Sequence, residues 1–348
     1  MKVLILSNMK PSTNNPMYGV FVNNQFEALK NTGQFEQIEY LGIEDSGKGK
    51  FALIAKYLGL FFSVLFKAVF KTKRFDIVHV HYYFPTIIYA IIYKLLRNWK
   101  AKIIVTYHGS DVQLQQNPGG LYKKASNWVD HHIFVSQGLC DTFYKRVPDA
   151  NKTILSAGIL DLYLPDQTAE KEFDLIMVGS LTQLKGLDRL LPLLDAIKTP
   201  LKVGIIGQGP FEAQIKAYNS DVHTLEFLGR CKPQGICKYL NQSRFLLSLS
   251  RHESFGLVMT EAMACGLPMI ATKTNGSKAQ VVEGDNGYLL ENIESLDEFV
   301  LQSAEQVEGY LQCNGEDYLR LSEKSIECAE PHRLGRIVEG LLGLYQKV

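Results

Sequence analysis

The residues best suited to chemistry stand in one run, Glu253-Ser-Phe-Gly-Leu-Val-Met-Thr-Glu261-Ala-Met-Ala-Cys-Gly266-Leu-Pro268. It follows an apolar strand candidate, Phe245–Leu249. The breakers Gly266 and Pro268 predict a helix that starts near Gly256 and stops before Gly266. The amides of Phe255, Gly256 and Leu257 would then be first-turn donors with no intrahelical partner. With the helix dipole they make a site fit for a diphosphate. Glu261 falls about a turn and a half into the helix, and its side chain leans back toward the N-terminus. A carboxylate there repels phosphate but can accept two hydrogen bonds from the hydroxyls of a ribose. Glu253 precedes the helix and projects toward the same cleft. The alternative is a charge pair at the start of an ordinary helix.

Three further segments sit where strands should end. In Val178-Gly-Ser180-Leu-Thr-Gln-Leu-Lys185-Gly186, Lys185 is placed to neutralise phosphate oxygens unless it is an ordinary solvated lysine. Gly204-Ile-Ile-Gly207-Gln-Gly209-Pro210 resembles a dinucleotide fingerprint but carries Glu212 where the last glycine belongs. It implies only that backbone approaches a ligand closely. Thr106-Tyr-His108-Gly-Ser-Asp111 offers a histidine for a sugar contact or proton transfer, with a packing role equally open. His79 and His81 share one strand face and read as strand-end packing. His131 and His132 show no metal-ligand spacing, and no D-x-D triplet occurs. The six cysteines form no C-x-x-C pair, which suggests reduced, packed thiols and a cytoplasmic setting.

These segments need a scaffold that gathers strand ends. Strands are expected at Lys2–Leu6, Gln37–Leu41, Asp76–Val80, Lys102–Thr106 and His132–Val135, with helices starting near Gly19, Phe51, Pro85 and Gln137. The pattern restarts after a linker over 158–172, with strands at Asp174–Val178, Lys202–Ile206, Phe245–Leu249 and Pro268–Ala271. Such alternation predicts two doubly wound parallel α/β domains facing a central cleft, with ligands at the carboxyl ends of the strands. The length of 348 residues suits two cores, and 46% apolar with 21% charged residues excludes a disordered or collagen-like chain. A net charge of +1 argues against a nucleic-acid partner. The charge is nonetheless divided: residues 1–160 hold 19 basic against 10 acidic residues, and 161–348 hold 18 against 26.

The combination resembles the retaining GT-B glycosyltransferases of glycosyltransferase family 4, group 1 type. Its E-x7-E followed by A-x-A-x-G-x-P-x-I-A is matched from Glu253 to Ala271. V-G-x-G-P is matched from Ile206 to Pro210, H-G-S-D from His108 to Asp111, and an N-terminal glycine loop over Pro11–Phe21. The glycine–basic–K-G loop is matched in part from Gly179 to Gly186. The resemblance implies a Rossmann-like acceptor-side domain over 1–160, joined by a C-terminal helix near 331–348, and a donor-binding domain over 165–330. It implies that Glu261 binds the ribose of a nucleotide sugar, with a UDP-sugar the expected donor. Lys185 and the amides of Gly19, Gly256 and Leu257 would hold the diphosphate. Gly207, Phe255 and Ser180 would line the donor site, Glu253 and His108 would touch the sugar, and Arg230 would lie near the base. Three positions depart from the family pattern. Ser180 stands where an arginine is usual, and Arg230 and Arg251 are the basic residues that could replace it. Ser277 follows Gly276 in place of a second glycine, and Gln280 replaces a glutamate.

The expected reaction is a metal-free, cofactor-free transfer with retention. Lys185 and backbone amides would stabilise the departing diphosphate, and the donor phosphate would take the acceptor's proton. The acceptor would be a glycan or lipid-linked sugar in cell-surface polysaccharide or glycolipid assembly. From Ser46 to Phe75 there are seven basic residues and no acid. The stretch Phe51–Arg74 could therefore lie on an anionic membrane at its cytoplasmic face, or be a buried helix with basic flanks. A catalytically degenerate nucleotide-sugar-binding subunit, suggested by Ser180 and Gln280, and a GT-B nucleotide-sugar epimerase are the competing readings.

Overall fold

The structure is a computed structural model that describes residues 1–13, 15, 17–44, 50–113 without 71–73, and 118–348. The chain divides into two compact units, Met1–Gly158 with Leu334–Val348, and Ile159–Arg333.

The first unit runs β1 Lys2–Lys10, α1 Val20–Asn31, β2 Gln37–Glu44, α2 Lys50–Phe70, β3 Ile77–His81, α3 Tyr83–Leu96, β4 Lys102–Tyr107, α4 Ser110–Gln113, α5 Gly120–Ala125, β5 His131–Phe134, α6 Gln137–Asp141 and β6 Lys152–Ile154. Its strands pair in parallel in the order β2-β1-β3-β4-β5-β6. The central strand β3, Ile-Val-His-Val-His, is buried along its whole length, as a strand covered on both faces must be. The C-terminal helix, Leu334–Lys347, closes this unit. Its Ile337, Leu341 and Tyr345 pack with Val3, Ile5, Val22 and Ile104, so the chain's last helix belongs to its first sheet. Each fully buried aliphatic side chain here is worth roughly 1.5–3 kcal/mol.

The second unit runs β7 Phe173–Val178, α7 Leu187–Ala196, β8 Lys202–Ile206, α8 Glu212–Ala217, β9 Thr224–Gly229, α9 Pro233–Asn241, β10 Ser243–Ser248, α10 Leu257–Ala264, β11 Met269–Thr272, α11 Asn275–Lys278, β12 Gly287–Leu290, α12 Leu296–Leu311 and α13 Gly315–Ala329. Its parallel order is β12-β11-β10-β7-β8-β9. Period-two alternation sends Leu175 and Met177 into one core beneath α7 and α12, and Ile176 into another with α9 and α10.

The segment expected to be a linker is not free chain. Ile159 pairs in parallel with Arg333, its amide donating to the His332 carbonyl at 2.9 Å, and Ile159 and Tyr163 are buried in the second unit's core. The expected strands all form, displaced by a residue or two or extended. Among the described residues three additional strands form, β6, β9 and β12, all at sheet edges.

The helix α2, expected either to lie on a membrane or to be a buried helix with basic flanks, is buried on one face and exposed on the other. Leu60 and Val64 are buried, whereas Ile54, Leu58, Phe62 and Phe66, spaced by four, are 50–61% exposed. Its Lys67 ammonium donates to Glu39 on β2. Lys71 and Lys73 lie outside the described residues. Among the described residues no helix is long and apolar enough to cross a membrane.

Candidate functional site

Because the second sheet is parallel, the loops after β7, β8, β10 and β11 leave from one edge. Lys185 ends a 3-10 turn, Gln183–Lys185, after β7, and Glu253 lies in the loop after β10. The Lys185 ammonium donates to a Glu253 carboxylate oxygen, joining residues 68 positions apart. Both are partly buried.

Glu253 leads into α10. Gly256 precedes that helix at φ +85°, where a Cβ would come within 2.5 Å of Met259 Cε and 2.8 Å of Glu253 Cγ. Only glycine meets both the left-handed backbone and the close approach. No side chain caps this N-terminus. The helix start is held instead from outside. Gly276 donates its amide to the Glu253 carbonyl at 2.8 Å, and a Cβ on Gly276 would stand 2.4 Å from the Phe255 carbonyl oxygen.

Two of the three departures from the family pattern acquire a physical reason here. Ser277 is buried, donates to the Thr272 carbonyl at 2.7 Å and forms a capping box with Thr274 at α11. Gln280 is buried, accepts from Thr260 Oγ1 at 2.6 Å, and donates its amide to the carbonyls of Phe255 and, at 3.4 Å, Gly276. A carboxylate could not donate to those carbonyls. Gln280 therefore orders the chain that presents the first amides of α10. The third departure, Ser180, is exposed at the end of β7.

Of the two basic residues that could replace the missing arginine, Arg251 is not a free cation. Arg251 is committed to Asp188, at 2.7 and 2.8 Å. Arg230 is exposed just after β9. The glycines of Gly207-Gln-Gly209 are also demanded by crowding within the unit itself. A Cβ at Gly207 would lie 1.8 Å from the Gly179 carbonyl oxygen, and one at Gly209 2.4 Å from that of Leu181. What comes close is the neighbouring loop of the same unit.

Glu261 sits on α10, largely withdrawn from solvent, where burial pushes its carboxyl up to about 8 against a partly compensating hydrogen bond donated by the Tyr163 hydroxyl. In the unliganded protein this group keeps its proton through neutral pH. Arg333 in turn donates to the Tyr163 carbonyl at 2.7 Å. Tyr163 escaped notice in the sequence because it falls in the supposed linker, where no periodicity marks it as core.

In the first unit, His108 follows β4. Its ring stacks on His81 with centroids 5.3 Å apart, and Phe21 and Tyr82 flank it at 5.0 and 4.7 Å. His108 Nε2 and His81 Nδ1 share a hydrogen bond of 3.0 Å. Burial, then the His81 neighbour, holds the His108 pKa well below the ordinary imidazole value, so the ring is neutral at pH 7. Asp111 holds the loop, accepting from the amides of His108 at 3.1 Å and Gly109 at 2.9 Å. His79 is committed to packing through Tyr345 at 2.6 Å and Thr106 at 2.7 Å, whereas His81 belongs with His108. Gly19 starts α1 at φ +68°, with Met9 Cβ only 2.7 Å from where its own Cβ would stand.

The structure thus brings Lys185 to Glu253 in the loop that leads through Phe255 and Gly256 into α10, and Glu261 stands further along that helix beside Tyr163. His108 and Gly19 lie in the first unit. Among the described residues, no group of three or more histidine, cysteine, aspartate or glutamate side chains could hold a metal ion.

Residues 165–325 match the model of glycosyl transferases group 1, and residues 33–159 that of glycosyltransferase family 4. An uncharacterized glycosyltransferase of Methanocaldococcus jannaschii is 28% identical over 340 residues, covering 91% of this chain and 94% of that protein. The N-acetyl-alpha-D-glucosaminyl L-malate synthase of Bacillus anthracis is 31% identical over 243 residues, 64% of this chain and 63% of that protein. Among solved structures, the apo lipopolysaccharide outer core galactosyltransferase WaaB shares the fold with a TM-score of 0.70 at 17% identity, over 100% of both chains. Anabaena Alr3699/HepE in complex with UDP-glucose does so with a TM-score of 0.72 at 16% identity, again over 100% of both chains. Two parallel sheets of this order, each half matched by its own model, make the chain a GT-B glycosyltransferase of family 4, group 1.

Proposed function

We propose that the protein transfers a sugar from a UDP-sugar to a glycan or lipid-linked acceptor in cell-surface polysaccharide or glycolipid assembly, with retention at the anomeric carbon. The observation that carries this reading is the contact of Lys185 with Glu253 ahead of the uncapped start of α10, the helix that also bears Glu261. UDP-glucose is bound by one protein of the same fold, and another acts on lipopolysaccharide outer core, which supports the donor and acceptor classes.

In this mechanism the diphosphate lies against the first amides of α10, with Lys185 as its cation. Negative charge grows on the leaving diphosphate as the glycosidic bond lengthens, and preorganised donors stabilise it at that moment. The acceptor hydroxyl enters on the same face, and its proton passes to the departing phosphate oxygen. No enzyme nucleophile forms a bond. Glu253 and the neutral His108 are assigned to the sugar. A hydrogen-bonded Gln280 supports an active enzyme over a degenerate binding subunit, since one of the two residues that prompted that alternative shapes the turn before α10.

The reading is tested by incubating the protein with UDP-sugars without acceptor and following UDP release and the anomer of the freed sugar by NMR. Slow hydrolysis with retention is expected; no release from any nucleotide sugar would favour the binding subunit. Because Lys185 and amides carry the charge, excess chelator should leave this release unchanged, and a strict divalent-metal requirement would overturn the metal-free scheme.

For the acceptor side we propose that α2 rests on an anionic membrane. The exposed stripe Ile54, Leu58, Phe62 and Phe66 supplies apolar area, and Arg74 with Lys71 and Lys73 supplies charge. Attraction of about 1 kcal/mol per engaged basic residue is expected. Replacing Phe62 and Phe66 with serine, or Lys71, Lys73 and Arg74 with glutamine, should remove most co-sedimentation with anionic liposomes. Rising salt should weaken the wild-type interaction. A wild type that stays in the supernatant at low salt would make a soluble acceptor the better reading.

A further inference from the structure

We propose that Arg251, braced by Asp188, is a positioning residue that holds Lys185 against the donor diphosphate; this rests on the role given to Lys185 above. A lysine is a point charge on a flexible stem, so its effect on a phosphate depends on how firmly its backbone is placed. Arg251 makes two hydrogen bonds to the turn Gln183–Lys185. The Arg251 amide donates to the Leu184 carbonyl at 2.9 Å, and its Nη1 donates to the Gln183 carbonyl at 2.9 Å. The same guanidinium grips Asp188 in the first turn of α7 with Nη1 at 2.7 Å and Nη2 at 2.8 Å. Its Nε lies 3.5 Å from Glu294. The planar fork thereby ties together the turn, the helix and a second carboxylate.

Arg251 itself is anchored. Asn292 Nδ2 donates to its carbonyl at 2.9 Å, and Asn292 Oδ1 accepts from the buried Arg189 at 2.8 Å. Below the turn, Gly186 lies so close to the end of β10 that a Cβ would stand 2.0 Å from the Leu249 carbonyl oxygen. Two residues beyond Arg251, the same loop delivers Glu253, the present partner of the Lys185 ammonium. One loop therefore fixes the lysine's backbone and orients its head. A bidentate arginine can do this; a lysine at the same position lacks the fork. The arrangement also explains how one phosphate-binding cation suffices where Ser180 replaces an arginine.

The test is a double-mutant cycle read by calorimetry with UDP as the probe, on wild type, K185A, R251Q and the double variant, with melting temperature followed in parallel. R251Q should weaken UDP binding by about five- to tenfold in the wild-type background, and by less than about twofold once Lys185 is gone. D188N should behave as R251Q does. Equal losses with and without Lys185 would show a merely structural role and overturn the proposal, as would full UDP affinity in R251Q. If K185A itself binds UDP like wild type, the reading of Lys185 fails and the positioning role falls with it, a pattern distinct from the other two. Should R251Q fail to fold, R251K runs the same cycle with the charge retained and the fork lost.

Discussion

Replacing Lys185 with alanine is expected to lower turnover by about a hundredfold or more. The ammonium stands at the carboxyl edge of the second sheet, already drawn to a carboxylate. In the ground state the diphosphate's charge is shared with the sugar bond. As that bond breaks, charge moves onto the leaving oxygen, and a fixed cation gains energy in the transition state that it lacks before it. Interactions of this kind raise turnover more than affinity. K185A should therefore lose more in kcat than in UDP binding, measured by product release and by calorimetry on the same preparation. The substitution also releases Glu253 from its partner, so E253Q in the K185A background distinguishes a lost cation from a displaced carboxylate. Turnover near wild type in K185A would mean that another group carries the phosphate charge.

The second large effect concerns Glu261. Loss of two hydrogen bonds to an ionised carboxylate should weaken nucleotide binding by about tenfold to a hundredfold in E261A. The effect depends on pH in a defined direction. In the free protein, burial holds the carboxyl near 8, so at pH 7 it is mostly protonated. Ribose hydroxyls that donate to the carboxylate favour the ionised form. Binding must then release a proton below pH 8, and affinity should rise as pH increases toward 8 and level off above it. Calorimetry in buffers of different ionisation enthalpy reads that proton directly, and E261Q should abolish both proton release and the slope. The linkage to folding runs the other way. A carboxyl whose folded pKa is raised contributes most below its unfolded value of 4.5, and that contribution is lost as pH rises through 8. E261Q should accordingly melt higher than wild type in alkaline buffer. A nucleotide affinity independent of pH and unaffected by E261A would remove the ribose assignment.

Much of this architecture was legible because central parallel strands are apolar on both faces. Ile77–His81 and Met269–Thr272 are buried throughout, and their sequences announce it. The strands that escaped notice are edge strands. Thr224–Gly229 is mostly half-buried or exposed, and Lys152–Ile154 has only three residues. Edge strands make fewer contacts and need less hydrophobic sequence, so their signal falls to that of a loop. The loop–helix junction was readable for a related reason. Glycines and a proline bracket Glu253 and Glu261, and those residue types are demanded by local backbone geometry.

What sequence could not show is pairing across long separations. Lys185 with Glu253, Arg251 with Asp188 and Gln280 with the Phe255 carbonyl are each set by sheet order. Nothing local in the residues encodes them. The two glycines after β8 teach the opposite lesson. Their spacing suggested a ligand, and backbone from the adjacent loop already comes close enough to demand glycine. Glycine reports crowding without saying what crowds.

The central claim is that the junction of Lys185, Glu253 and α10 binds a nucleotide sugar through its diphosphate and ribose. Calorimetric titration of the wild type and the K185A/E261A double variant with UDP tests it most directly, supported by thermal shift. At a hundred times the dissociation constant the ligand should stabilise the wild type by about 2.7 kcal/mol, and the double variant should show little shift at the same concentration. Equal stabilisation of both proteins by UDP would contradict the account.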